Sequence, residues 1–362
     1  MECGLAVALV LSAVCVLGLA IFCHQWPTAP DSPLMHPGVS RQAAEFRYGA
    51  GRTVTEVLWV NAPPSRGQRH HLVLIIPGSP GLAVLYADLL LKVTAGIGPC
   101  TGLAVSYPTE ASCPARLAAM SEQFATVMCS VLEDDQWSGV SVCAQSMGAW
   151  LAVCGLTLVK QKKPSLLDRG NFKGLQLITP FFDPIRSRRG ESVRRLIPKL
   201  QFIAPFVLRV LTIASARQLG KVGLLIQWLR GKPPGLDSSA LWFYEAIAAR
   251  LNHSVVSRLL ALAHEALVEG ALGPLHIAHP AEMELLMQLT AAGQLAYQLA
   301  EGDAWTTNFD EYHSRSGTAR APYRVHRMRH GFPQVASQSS LVALAIVADC
   351  HKLGWATELK FE

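Results

Sequence analysis

An α/β fold with a mainly parallel sheet is predicted for this chain by three observations. Short β-type apolar runs alternate with helix-period stretches through the first half of the sequence. One run, Leu72-Val73-Leu74-Ile75-Ile76, is apolar at every position, as a parallel strand buried on both faces must be. The alternation then stops for about 110 residues and resumes near the C-terminus, the pattern of a helical insertion between late strands.

In chain order, 53–60 alternates and reads as an opening strand closed by Asn61-Ala62-Pro63-Pro64. The run 72–76 is the next strand; it ends in Pro77-Gly78-Ser79-Pro80-Gly81 and leads into a helical stretch through Tyr86 and Leu90. Residues 102–106 form a further strand, 116–132 a helix, 139–143 a strand and 174–178 another, ending at Thr179-Pro180. From 185 to 292 the pattern is helical and apolar, with no convincing strand. Strands are expected again at 295–300 and 323–328, and an amphipathic helix at 341–351 closes the chain.

At 362 residues the chain admits one large domain with an insertion, or two domains. The expected organisation is a hydrophobic anchor at 1–26, an extended Pro-containing linker at 27–50, a core in two parts at 51–184 and 293–362, and a helical cap or interfacial insertion at 185–292. Residues 4–23 carry no charge and are long enough to cross a bilayer as a helix. A cleavable signal peptide is the rival reading, with Gly18-Leu19-Ala20 near a potential cut. Against it, no Lys or Arg precedes the run and Glu2 stands where a basic segment would be. Arg41, Arg47 and Arg52 follow the run, a bias that places the remainder on the cytosolic side.

Half of the residues are hydrophobic and mean hydropathy is positive, which also points to membrane association. The formal net charge is +6, unevenly placed. Residues 186–232 hold eleven Lys or Arg and one acid, Glu191, a local +10 that leaves −4 elsewhere. There Arg194, Arg195, Lys199 and Arg209 are interleaved with Leu196, Ile197, Phe202, Ile203, Phe206, Val207 and Leu208. That mixture suits a segment lying in a lipid headgroup interface; a cap packed on the sheet with its cations exposed is the plainer alternative. Cations alternating with aliphatics, and the lack of any nucleic-acid-binding motif, exclude nucleic acid as the partner. His276 and His279 have no acidic or cysteine companions, so no metal is expected, and no cofactor is. The nine cysteines are odd in number and contain no CxxC pair; Cys143 and Cys154 read as small buried hydrophobes, which favours a reducing compartment.

The chemistry centres on Ser146, in Val142-Cys143-Ala144-Gln145-Ser146-Met147-Gly148. A β-branched run stops there and a helical pattern begins, which is the form of a strand–turn–helix elbow presenting a nucleophile. Side chains two residues before or after such a serine crowd the turn. Gly148 meets that demand, while Ala144 stands where glycine is commoner. A serine needs a histidine to take its proton and an acid to orient that histidine. Asp303 follows the strand at 295–300 and His330 follows the strand at 323–328, in the chain order Ser, acid, His of an α/β-hydrolase. Asp183 is the rival acid and Asp310 a third. Oxyanion donors are expected from the Met147 N–H and, in the 77–81 loop, the Ser79 N–H, since Pro80 has none.

Pro77-Gly78-Ser79-Pro80-Gly81 followed by Tyr86 resembles the PGNPG…FY signature of the lipid-droplet-associated hydrolases, a branch of the α/β-hydrolase superfamily. The segment 144–148 stands where that family has GHSxG, Asp303-Ala304-Trp305 looks like its acid loop, and His330-Gly331-Phe332 looks like its histidine loop. Ser79, Ala144 and Gln145 depart from the family's asparagine, glycine and histidine; Gln145 is read as standing outside the triad. The resemblance implies an α/β-hydrolase-like fold and a serine hydrolase acting on lipid esters, sterol esters or acylglycerols, at lipid-droplet or endoplasmic-reticulum surfaces. A small-ester hydrolase or thioesterase using the insertion as a substrate tunnel is one alternative. A lipid-droplet surface protein with weak or no catalysis is the other.

Overall fold

The computed structural model describes residues 36–48, 51–61, 70–107, 116–168, 171–181, 253–269, 279–303 and 321–355, with 194, 195, 197 and 247. Among them, eight strands form one sheet: β1 (Val39–Tyr48), β2 (Gly51–Val60), β3 (His70–Ile76), β4 (Cys100–Val105), β5 (Trp137–Gln145), β6 (Phe172–Ile178), β7 (Leu295–Ala300) and β8 (Tyr323–His326). Their order is β1-β2-β4-β3-β5-β6-β7-β8. From β4 to β8 every neighbour is parallel; β1 and β2 run antiparallel at the other edge.

The two-residue period of β3 divides the core. Leu72, Leu74 and Ile76 join one apolar cluster, whereas Val73 and Ile75 join a second on the opposite face. All five are fully buried, each worth about 1.5–3 kcal/mol relative to exposure, so a one-residue slip would send every side chain to the wrong face. Helices α1 (Ala87–Ile97), α2 (Leu117–Glu133), α3 (Met147–Lys162), α4 (His253–Leu267), α5 (Pro280–Ala291) and α6 (Ala336–Lys352) clad the sheet. Buried residues of α2, α3, α4 and α5 belong to the first cluster and those of α1 and α6 to the second. Asp349 of α6 accepts from Gln298 Nε2 at 2.6 Å and from the Arg324 guanidinium at 2.8 Å. It thereby fastens α6 to β7 and β8, the two strands that lead into Asp303 and His330.

One expectation changes. Residues 39–48, expected to be linker, form β1, which pairs along its whole length with β2. Phe46 buries itself in the cluster beneath α2, and the outer face is held by Arg41–Glu56 at 2.7 Å and by Glu45 with Arg47 and Arg52. Residues 1–26, read as an anchor, lie outside the described residues. No helix among the described residues is long and apolar enough to cross a membrane. Most of the 186–232 basic stretch, Asp183 and Asp310 also lie outside them.

The described parts of the insertion are helical and pack on the core. Ile197, Leu262, Ala266 and Leu267 join the cluster on the α2 and α3 face. The Glu265 carboxylate of α4 accepts the Leu117 N–H at 2.7 Å, placing a negative charge at the N-terminus of α2, which has no side-chain cap of its own. Cys100, Cys129, Cys143, Cys154 and Cys350 are free thiols, and burial raises the pKa of each.

His71 of β3 is 7% exposed, with Nε2 3.0 Å from Ser141 Oγ. Burial, and secondarily the Lys173 charge, lowers its pKa from 6.5 to about 4. As pH falls from 6.5 towards 4, the unfolded chain takes up a proton that the folded chain does not, so stability is lost over that window. Urea unfolding at pH 7 and pH 5 should show wild type losing about 2 kcal/mol more than His71→Gln. Equal losses would contradict this assignment.

Candidate active site

Ser146 links the end of β5 to the start of α3 with φ 54° and ψ −123°. A non-glycine residue with positive φ is uncommon and persists only where its surroundings enforce it. Here its N–H donates to the Ile178 carbonyl at 3.0 Å, and its carbonyl accepts from Phe181 N–H at 3.1 Å and Ala149 N–H at 3.0 Å. The elbow is thus stitched to the chain leaving β6. Gly148 permits the close approach to β3: a Cβ there would lie 2.2 Å from the Pro77 carbonyl oxygen and 2.5 Å from that of Ile76. The methyl of Ala144, where glycine is commoner, is absorbed in the apolar cluster between Ile76 and Leu177.

β5 to β8 lie side by side and parallel, so the chain segments that follow them open on one edge of the sheet. Asp303 follows β7 and His330 follows β8. The structure brings both to Ser146: Ser146 Oγ lies 2.6 Å from His330 Nε2, and His330 Nδ1 lies 2.7 Å from Asp303 Oδ2. A carboxylate only accepts, so Nδ1 carries the proton and Nε2 is left to accept from the serine hydroxyl. The Asp303 side chain is 5% exposed and that of His330 16%, with the Phe181 ring 6.4 Å from the imidazole. Such a relay can draw the proton from the serine hydroxyl as its oxygen forms a new bond.

Of the residues expected to donate to an oxyanion, Met147 directly follows Ser146, and the 77–81 loop lies against the elbow, since a Cβ at Gly78 would fall 2.9 Å from Ser146 Cβ. Met147 is the first residue of α3, where the N–H has no intrahelical acceptor and the helix dipole is positive. In the 77–81 loop, the Gly78 N–H donates to Tyr86 Oη at 2.8 Å and the Gly81 N–H to the Gly78 carbonyl at 2.7 Å. Pro77 and Pro80 have no N–H, so Ser79 carries the loop amide not spent in holding the turn.

Sequence reasoning read Gln145 as outside the triad and gave neither Tyr86 nor Thr179 a contact with it. All three are buried, and the Gln145 amide touches the other two and the His330 backbone. A glutamine at the end of an apolar strand was the available signal, because a buried amide must find partners. Among the described residues no group of three or more His, Cys, Asp or Glu could hold a metal; His279 instead meets the Trp150 ring edge-on at 4.4 Å.

No protein-family model and no curated protein sequence matches the chain. Solved structures do. A thermostable esterase from Pseudomonas putida ECU1011 is 14% identical, with 92% of this chain and 86% of that chain covered and a TM-score of 0.50. The haloalkane dehalogenase DatA from Agrobacterium tumefaciens C58 is 11% identical over 90% of this chain and 100% of that chain, with a TM-score of 0.55. A thioesterase domain from the curacin biosynthetic pathway is 14% identical over 85% and 99%, with a TM-score of 0.52. At these identities the likeness is one of fold: the chain has the α/β-hydrolase architecture.

Proposed function

We propose that this chain is a serine hydrolase that cleaves carboxylic esters through an acyl-enzyme. The observation that carries the reading is the continuous hydrogen-bonded relay Ser146–His330–Asp303 on a strained elbow. In the first half-reaction Ser146 Oγ attacks the ester carbonyl carbon while its proton passes to His330 Nε2. Asp303 holds the Nδ1–H and offsets the positive charge of the imidazolium. The Met147 and Ser79 amides receive the charge that develops on the carbonyl oxygen. The tetrahedral species expels the alcohol, which takes the proton back from Nε2. Water, deprotonated by the same imidazole, then attacks the acyl carbon; the second tetrahedral species expels Ser146 Oγ, which takes the proton back from Nε2, and the carboxylic acid leaves.

The substrate class we propose is lipid esters, sterol esters or acylglycerols, met at a membrane or lipid-droplet surface with the catalytic part facing the cytosol. The charge-free run at 4–23, the interleaved cations and apolar residues at 186–232, and the resemblance of the 77–81 loop support it.

Replacing Ser146 with Ala should reduce hydrolysis of p-nitrophenyl esters to background while circular dichroism and melting stay unchanged. Undiminished hydrolysis by purified Ser146→Ala protein would sink the reading. Asp303→Asn should cost about 10⁴ in kcat, because the amide disfavours the imidazolium and imposes the wrong tautomer. Asp183→Asn should stay within a few-fold of wild type, and the reverse ranking would move the acid to Asp183. Location is tested by deleting residues 1–26. The full-length protein should stay in the membrane pellet after alkaline carbonate, whereas the truncated protein should bind vesicles at low salt and be released at high salt. A truncated protein that never binds, or a full-length protein extracted by carbonate, would contradict the interfacial reading.

A further inference from the structure

Gln145, the last residue of β5, is 4% exposed and uses its whole amide. Its Oε1 accepts from Tyr86 Oη at 2.6 Å; its Nε2 donates to the His330 carbonyl at 2.8 Å and to Thr179 Oγ1 at 3.3 Å. Chemistry fixes the orientation of this amide. The His330 carbonyl can only accept, so it must face the NH₂ group. The Tyr86 oxygen already accepts the Gly78 N–H, so its single proton is available for Oε1. Burial raises the pKa of Tyr86, which keeps the phenol protonated and able to donate. Gly78 makes the packing possible, since a Cβ there would lie 2.0 Å from Gln145 Oε1.

The result is an unbroken buried chain from Gly78 N–H through Tyr86 and Gln145 to the His330 backbone. It joins the loop that carries the Ser79 amide to the loop that carries the imidazole, through the residue next to Ser146. Every donor and acceptor in it is matched, and a fully satisfied buried network of this kind rigidifies what it connects.

We propose that Gln145, together with Tyr86, is a positioning residue that locks the 77–81 loop and the His330 loop in register with Ser146. This rests on the reading of Ser146 as the nucleophile. Neither side chain acts on the substrate; each acts through the groups it holds. A shift of about 1 Å in such groups can cost 10²-fold in rate with little effect on ground-state binding.

The test uses the full chain, a p-nitrophenyl ester and an alkylboronate as tetrahedral mimic, with Ser146→Ala as the reference for the nucleophile. Gln145→Met keeps length and volume but removes every hydrogen bond. Tyr86→Phe deletes one oxygen and preserves the ring, so it reads the network even where the methionine variant does not fold. Each should lower kcat by about 10- to 10²-fold with KM within about 3-fold, and weaken alkylboronate binding by a similar factor. The double variant should be no worse than the poorer single one by more than about 3-fold, because both break the same chain. Gln145→His should recover much of kcat, since neutral imidazole offers one acceptor for Tyr86 and one donor for the His330 carbonyl. Unchanged kcat and boronate affinity, a rise in KM alone, or additive losses in the double variant would overturn the positioning role. Hydrolysis by Ser146→Ala would instead overturn the nucleophile assignment on which it stands.

Discussion

The backbone of Ser146 is held in a conformation that L-residues rarely adopt, and the surrounding architecture depends on holding it there. Three hydrogen bonds grip its peptide groups, and Gly148 lets the elbow lie against the ends of β3 that a side chain would strike. The strain projects the hydroxyl off the sheet edge instead of folding it into the helix, which is what leaves Oγ within reach of an imidazole.

The sheet supplies the second requirement, convergence. Parallel strands open their C-terminal ends on one edge, so residues separated by 184 and 27 positions in sequence meet as hydrogen-bonded partners. The order β5-β6-β7-β8 sets the sequence of functions across that edge: hydroxyl, clamp on the elbow, carboxylate, imidazole. α3 starts at the elbow and adds its positive end to the same place. Core and site are therefore one construction, in which the apolar faces of β3 and β5 determine where the polar groups emerge.

The parts of this arrangement legible in the sequence are those encoded locally. The fully apolar run at 72–76, bounded by turn residues, marked β3, and Ser146, Asp303 and His330 each follow a strand that the pattern marks. β1 was not legible. Its apolar content is slight, with Phe46 the one large buried hydrophobe among its described side chains, and pairing with β2 and cross-strand ion pairs define it instead. The contacts of Gln145, which stands outside the relay, were not legible for a related reason. Its partners lie 59, 34 and 185 residues away, so nothing in the pentapeptide around the serine announces that this amide joins two loops.

The central claim is that Ser146 is an activated nucleophile, and mapping a covalent adduct tests it most directly. Full-length protein would be treated with a fluorophosphonate, digested, and the modified peptide located by mass spectrometry. The account predicts one adduct, on Ser146, formed at a rate that an ester substrate slows by competition. No adduct, or an adduct on another residue while Ser146 stays unmodified, would contradict it.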